Sequence, residues 1–96
     1  MKPSLVLASN RDAIRCVVAA HRATNPRVFG SVALGTDTED SDLDILIDPT
    51  TDTSLFDIGT IRHELLQLLG MPVDVLMPNA LPEKIRAAVL AEAVPV

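Results

Sequence analysis

The sequence of 96 residues contains no tryptophan or tyrosine, two phenylalanines and one cysteine, Cys16. A single cysteine excludes an intramolecular disulfide and a cysteine-based zinc site. No stretch approaches the ~18 apolar residues that a membrane helix needs, and the N-terminal apolar run is too short for a secretory signal core. We therefore expect a cytoplasmic protein that does not contact membranes, with Cys16 as a buried, inert thiol on an apolar helix stripe.

Basic residues are missing where acidic residues are dense. Eight of the thirteen acidic residues lie between Asp37 and Asp57, and no Lys or Arg lies between Arg27 and Arg62. The formal net charge of −5 argues against free nucleic acid as a partner, because phosphate contacts need clustered Lys and Arg. This many unneutralised carboxylates indicates a bound cation.

Two of these carboxylates share one face of a predicted strand. Side chains alternate along a strand, so Leu43, Ile45 and Ile47 point to one face, and Asp42 and Asp44 point to the other. Paired carboxylates repel each other unless a cation or a shared proton intervenes, and oxygen ligands suit Mg²⁺ or Mn²⁺. A solvated acidic strand end would show the same pattern, so the pair alone does not decide between these alternatives.

The residues before the pair indicate a phosphate site. Val28 and Phe29 would end a strand, Gly30 permits a tight turn, and Ser31 can cap a short helix that follows. Such a strand, turn and helix point free backbone N–H groups at an anion, which is commonly a phosphate. The sequence thus places a predicted phosphate-binding turn close to a predicted metal site.

These motifs resemble the polymerase-beta-type nucleotidyltransferase superfamily, specifically its minimal (MNT) branch. The matching residues are Phe29-Gly30-Ser31, Gly35 and Ser41-Asp42-Leu43-Asp44. A third carboxylate, Asp74, lies on a later predicted strand. The resemblance implies that Asp42, Asp44 and Asp74 are catalytic and bind metal, and that Gly30 and Ser31 bind the nucleotide.

The same resemblance implies a cofactor and a partner. Two Mg²⁺ or Mn²⁺ ions would assist the transfer of AMP from ATP onto a hydroxyl, with release of pyrophosphate. The acceptor would be a side chain of a HEPN-domain toxin, which this chain would hold in a hetero-oligomer as its antitoxin. From the length we expect one domain over residues 1–96, without the acceptor-selecting domain of larger family members.

One departure from the family pattern keeps a second function open. Many minimal members carry arginines after the Gly-Ser, whereas this turn reads Val32-Ala33-Leu34-Gly35. The triphosphate charge would then fall to metal ions, backbone amides and the more distant Arg27, Arg62 or Lys84. The alternative is an antitoxin that masks its partner without turnover. A third alternative is an acidic domain whose carboxylates only make it soluble.

The hydrophobic pattern predicts the order α-β-(short α)-β-α-β-α. This is an α/β (α+β) fold, and the resemblance implies a mixed sheet with helices mainly on one face and the three aspartates on the other, open face. Ser9 and Asp12 form a predicted capping box for a first helix from Ser9 to about Ala23. Asn25-Pro26 would end that helix, and the first strand would begin at Arg27.

The later elements follow from the same signals. Ser54 and Asp57 predict a second capping box, for a helix that ends at Leu69 before Gly70. Its predicted apolar stripe consists of Ile58, Ile61, Leu65, Leu66, Leu68 and Leu69. A last helix begins near Pro82, with an apolar side formed by Ile85, Ala88 and Val89. We expect a capping or turn role for Asp48, a surface or boundary position at the helix end for His21, and exposed positions for His63 and Glu64.

Overall fold

Four strands form a mixed sheet in the computed structural model, which describes residues 1–96. The strands are β1 (Ala23–Phe29), β2 (Leu43–Pro49), β3 (Val73–Leu76) and β4 (Val94–Pro95), in the spatial order β3-β2-β1-β4. β2 and β3 are parallel, whereas β1 is antiparallel to both β2 and β4. Of the four strands, only β4, which is two residues long, was absent from the prediction.

Five helices accompany the sheet. They are α1 (Pro3–Ser9), α2 (Arg11–Ala20), α3 (Ser31–Leu34), α4 (Leu55–Leu69) and α5 (Glu83–Glu92), with a 3₁₀ turn at Pro78–Ala80. α2 packs on β1, α4 packs on β3, and the two helices contact each other. The predicted fold class, a mixed sheet with helices mainly on one face, is confirmed. None of the helices combines the length and apolar character needed to cross a membrane.

The core lies between the sheet and the pair α2 and α4. The predicted alternation along β2 holds, since its inward residues are completely buried and belong to one cluster with residues of both helices. The main members of this cluster are Ile14, Val18, Val28, Leu43, Ile45, Ile47, Ile61, Leu65, Val73 and Val75. The apolar face of β2 therefore fixes the direction in which Asp44 points, whereas Asp42 lies just before the strand begins.

The predicted first helix is wrong in its boundaries. Two helices, α1 and α2, occupy this region and are separated at Asn10. The capping box does not form, because the Ser9 hydroxyl donates to the carbonyl of Leu5 within α1. Asp12 instead pairs with Arg15 on the surface of α2.

The predicted start of the first strand is also wrong. α2 ends at Ala20, so Asn25 and Pro26 do not terminate it and lie within β1. Asn25 has a positive φ of 52°, and the pairing of β1 with β2 shifts register between Thr24 and Arg27. A bulge accommodates the proline inside the strand, because the ladder is locally interrupted there.

Cys16 is exposed, contrary to the predicted buried thiol. The buried stripe of α2 consists of Ile14 and Val18, which are four residues apart and share one face. Cys16 lies midway between them in sequence and therefore points away from the sheet. Its apolar neighbours in sequence are not its neighbours on the helix surface.

The second predicted capping box is confirmed at the start of α4, which ends at Leu69 with Gly70 in the left-handed conformation. The apolar stripe of α4 is narrower than predicted, since only Ile61 and Leu65 are buried among its apolar residues. α5 begins at the predicted position but buries no residue, and Ile85 is 47% exposed. The apolar side of α5 is therefore not part of the main core.

The face opposite α2 and α4 is less open than expected. Leu46 lies on this face between Asp44 and Asp48, and it is completely buried. The 3₁₀ turn lies against β2, and α5 lies against β1. These contacts cover the middle of the sheet and leave the aspartates at one edge.

Candidate active site

Asp44 and Asp74 lie side by side on neighbouring parallel strands. Their Cα atoms are direct partners in the register of β2 and β3, so both side chains point to the same face. Asp42 lies just before β2 begins, outside the predicted strand alternation, but its charge acts on Asp44. The sheet thus brings all three predicted carboxylates to one edge, where β2 and β3 begin.

The surroundings of the three carboxylates differ. Asp42 and Asp74 are exposed, whereas Asp44 is partly buried. Burial, and then the negative charges of Asp74 and Asp42, raise the pKa of Asp44 from 3.8 to about 6. No three of the His, Cys, Asp and Glu side chains are grouped closely enough to hold a metal ion in this arrangement. The oxygen donors and their mutual repulsion nevertheless fit a divalent cation.

Gly30 gives the backbone close access to Asp44. Phe29, the last residue of β1, is the register partner of Asp44. The chain therefore leaves the sheet at Gly30, directly beside the Asp44 carboxylate. Gly30 has a φ of 71°, and a Cβ at this position would collide with Oδ2 of Asp44. Both the backbone conformation and the space therefore require glycine here.

The turn after Gly30 forms the short helix α3. Gly30 is its N-cap, and no side chain caps the helix, so the predicted capping role of Ser31 is wrong. Ser31 is the first residue of α3, and its carbonyl accepts the N–H of Thr36 at 2.9 Å. Because the Ser31 hydroxyl takes no part in a cap, it is available to a ligand beside Gly30.

Arg27 is committed to an ion pair on the same face. Its Nη2 donates to Oδ1 of Asp48 at 2.6 Å, and Nδ2 of Asn25 donates to the other oxygen at 2.9 Å. Asp48 therefore has a structural role within β2 rather than the predicted role in a turn. The alternation of side chains along β1 and β2 indicates this ion pair in the sequence, because both residues point away from the core. Arg27 is thus unavailable to a triphosphate.

The two histidines do not reach the carboxylates. Nε2 of His21, at the end of α2, lies 2.9 Å from Oε2 of Glu64 on α4, and His63 is exposed. His21 is a boundary residue as predicted, whereas Glu64 is only partly exposed because it joins the two helices. Sequence reasoning missed this pair, since 43 residues separate its members.

The acidic loop before Asp42 is anchored by a contact that sequence reasoning also missed. Oδ2 of Asp37 accepts the backbone N–H of Ser4 at 2.9 Å, and Asp37 is buried. This hydrogen bond is the main cause of a lowered pKa of Asp37. Further along, the Ser41 hydroxyl accepts the N–H of Thr38. Asp37 therefore anchors the start of the loop, and the hydrogen bond between Thr38 and Ser41 orders the turn that leads into Asp42.

A pocket of about 460 Å³ lies at the opposite ends of β2 and β3. Its lining residues are Asp48, Pro49, Met77, Pro78 and Asn79. The strand direction separates it from the three carboxylates, which lie where both strands begin.

Comparison with known proteins gives consistent matches. A family described as the nucleotidyltransferase domain matches residues 20–95. A protein of Methanocaldococcus jannaschii, provisionally named a protein adenylyltransferase, is 35% identical over 80 residues, which cover 83% of this chain and 86% of the relative. The protein adenylyltransferase MntA of Thermococcus cleftensis is 42% identical over 67 residues, which cover 70% and 68%.

Solved structures agree with the observed fold. A structure described provisionally as a minimal nucleotidyltransferase superposes with a TM-score of 0.86 at 39% identity, and covers 97% of this chain and 95% of its own. A toxin–antitoxin crystal structure with AMP-PNP superposes with a TM-score of 0.75 at 18% identity, over 90% and 71%. The second match concerns the fold alone. The family match over most of the chain, together with these relatives, shows that the protein is a nucleotidyltransferase and belongs to the nucleotidyltransferase domain family.

Proposed function

We propose that this protein transfers AMP from ATP onto a hydroxyl of a partner protein, and that it acts as the antitoxin of a HEPN/MNT toxin–antitoxin pair. The names of two relatives, both protein adenylyltransferases, support the chemistry. The structural observation that carries the proposal is the pairing of Asp44 with Asp74 directly beside Gly30.

Asp42, Asp44 and Asp74 would hold the divalent cations, Mg²⁺ or Mn²⁺. When bound, the cations neutralise phosphate charge and lower the pKa of the attacking hydroxyl. The raised pKa of Asp44 supports this assignment, since three carboxylates at one sheet edge lack a neutralising charge. We propose that two ions are needed, because the carboxylates must serve both the nucleotide and the acceptor.

Gly30 and Ser31 would bind the phosphates of the nucleotide. The absence of a Cβ at Gly30 lets the backbone approach a phosphate while Asp44 stays in place. The N–H groups at the start of α3 have no intrahelical partners and can donate to phosphate oxygens. The free Ser31 hydroxyl adds one side-chain donor. These contacts fix the α-phosphorus beside the three carboxylates.

The reaction is a displacement at the α-phosphorus. The acceptor oxygen forms a new bond to this phosphorus, while the bond to the oxygen that bridges the α- and β-phosphates breaks. Pyrophosphate leaves with the bonding electrons, and the proton of the acceptor hydroxyl passes to a carboxylate of Asp74. Asp74 suits this role because it is exposed at the edge where an acceptor can approach.

A second function, masking of the partner without turnover, is favoured by one observation. The turn after Ser31 offers Leu34, which is 56% exposed, and no cation. Arg27, the cation nearest to Gly30 in sequence, is paired with Asp48. If nucleotide affinity were too weak for turnover, binding to the toxin alone would neutralise it.

One experiment separates the two functions. The purified protein is mixed with its cognate toxin, Mg²⁺ and ATP, and the intact mass of the toxin is measured along with its activity. We expect the toxin to gain whole AMP units and to lose activity. The matched control is Asp42→Asn combined with Asp44→Asn, which should leave the mass unchanged. Stoichiometric inhibition of an unmodified toxin would instead establish the masking function.

A further inference from the structure

One row of three side chains crosses the sheet on the face opposite α2 and α4. Asp74 on β3 is the register partner of Asp44 on β2, and Asp44 is also the register partner of Phe29 on β1. Register partners point to the same face, and in an antiparallel pair such as β1 and β2 their Cβ atoms are about 4.5–5.5 Å apart. The row therefore places an aromatic ring directly beside the two paired carboxylates.

The next row along the strands is covered, whereas this row is not. Leu46, the residue of β2 that follows Asp44 on this face, is the register partner of Arg27 and is completely buried. In the row of the carboxylates, Asp74 is exposed, and Asp44 and Phe29 are partly exposed. Phe29 thus lies at the boundary between the covered middle of the sheet and its accessible end.

Phe29 is the one aromatic residue near the carboxylates. The sequence contains no Trp or Tyr and only one other Phe, Phe56. Phe56 lies in the first turn of α4, which packs on the other face and begins after β2 has ended, far from Asp44. Phe29 is also not part of the main hydrophobic core. Its ring is therefore available to a ligand that lies beside Asp44.

A nucleotide at this site would bring its nucleoside to the ring. The α-phosphate would lie beside Asp44, and the other two phosphates would lie at Gly30 and the start of α3. The ribose is bonded directly to the α-phosphate, and the Asp74 side of the row is assigned to the acceptor hydroxyl. The nucleoside therefore extends in the other direction along the row, over Phe29, where an aromatic face can stack on the base.

We propose that the ring of Phe29 stacks against the nucleoside of the bound nucleotide and thereby holds the α-phosphate beside Asp44. This inference rests on the proposed function, since it concerns the same nucleotide. It divides the ligand between two sets of contacts, with the phosphates at Gly30 and Ser31 and the nucleoside at Phe29. An apolar contact of this kind adds affinity at a site whose turn after Ser31 carries no cation.

The test is calorimetric titration of the full chain with two ligands, Mg-AMP-PNP and Mg-tripolyphosphate. The second ligand carries the phosphates without a nucleoside. Phe29→Leu keeps an apolar side chain but removes the ring, so it should weaken binding of Mg-AMP-PNP by about 5-fold, the lower end of the range for base stacking. It should leave binding of Mg-tripolyphosphate unchanged. Phe29→Tyr keeps the ring and should bind both ligands as the parent does.

Two matched controls separate stacking from other effects. Ser31→Ala removes a proposed phosphate contact and should weaken binding of both ligands. Phe56→Ala removes the other aromatic side chain, which is 89% exposed and remote from the carboxylates, and should change neither affinity. A merely structural role of Phe29 would lower the melting temperature of Phe29→Leu and weaken binding of both ligands together.

The outcomes separate this inference from the proposed function. If the parent binds neither ligand, the proposed function fails and this inference fails with it. If the parent binds Mg-AMP-PNP and Phe29→Leu binds it equally well, only the role of Phe29 is overturned. Equal losses for the two ligands in Phe29→Leu would also overturn that role, because the ring would then not act on the nucleoside.

Discussion

Asp44 and Asp74 lie side by side on two neighbouring parallel strands, with their Cα atoms in direct register and their side chains on the same face of the sheet. Two carboxylates in this arrangement repel each other. Burial adds to the cost of ionising Asp44, whose pKa is about 6. The metal-free protein is therefore less stable than it would be with uncharged side chains of the same shape at these positions.

Asp44→Asn is predicted to stabilise the metal-free protein at pH 7.5. A pKa raised from 3.8 to about 6 corresponds to roughly 3 kcal/mol at full strength, and solvent screening reduces this to about 1 kcal/mol. We expect the melting temperature to rise by about 4–8 °C. Thermal unfolding in the presence of a chelator measures this change.

The sign of the pH dependence provides the control. Because the folded pKa of Asp44 is raised, ionisation of this carboxyl group destabilises the parent fully above pH ~6. Below pH ~4 the group is protonated in both the folded and the unfolded state, and the destabilisation is absent. The advantage of Asp44→Asn should therefore vanish near pH 4 and grow as the pH rises. An advantage that stays constant over this range would show that charge repulsion is not its source.

Gly30→Ala is predicted to destabilise the fold and abolish binding of Mg-AMP-PNP. The substitution strains a backbone with a φ of 71° and also drives a Cβ into Asp44. Gly70→Ala is the matched control, because Gly70 has a φ of 65° and open space around the missing Cβ. Melting curves should show a loss for both variants, and calorimetry should show lost nucleotide binding for Gly30→Ala alone. Equal binding by both variants would mean that the space beside Asp44 is not needed.

Asp57→Asn is predicted to destabilise the protein in a pH-dependent way. The N–H of Ser54 donates to Asp57, and Arg22 lies 2.9 Å away; both lower the pKa of Asp57. With a lowered folded pKa, the stabilisation is complete above the ordinary value near 3.8 and declines as the pH falls through the folded value. Denaturant unfolding should show a penalty at pH 7 that shrinks toward pH 3. A penalty independent of pH would assign the effect to packing.

The sequence predicted those parts of the fold in which local and tertiary preferences agree. β2 carries strict alternation, so its buried face and the direction of Asp44 could be predicted from Leu43 to Ile47 alone. α4 has a capping box and a terminal glycine, and it formed within one residue of the predicted bounds. Each of these signals lies within a few residues in sequence.

The elements that were missed depend on contacts between distant residues. α1 is capped by Asp37, 33 positions away from Ser4, and β4 exists because Val94 and Pro95 pair with the C-terminal part of β1. Asn25-Pro26 would ordinarily break structure, yet a bulge places it inside β1. No local pattern contains this information, because the partner residues are defined only after the chain has folded.

The candidate site was predictable in its composition and less so in its surroundings. Asp42, Asp44 and Asp74 follow from parity and from the family resemblance. The ion pair between Arg27 and Asp48 could be expected because both side chains lie on the same face of β1 and β2. The bulge at Asn25, however, shifts the register between these two strands.

The most direct test of the catalytic account concerns Asp74. This residue is assigned to the acceptor proton, which moves only in the chemical step, so its loss should lower kcat and leave nucleotide binding nearly unchanged. Single-turnover transfer of the α-phosphate from ATP to the cognate toxin is measured for the parent and for Asp74→Asn, with Mg-ATP affinity determined on the same preparations. We predict that Asp74→Asn binds Mg-ATP within a few-fold of the parent and transfers at least ~10²-fold more slowly. Transfer at the parental rate would contradict the account and make Asp74 a structural residue of β3.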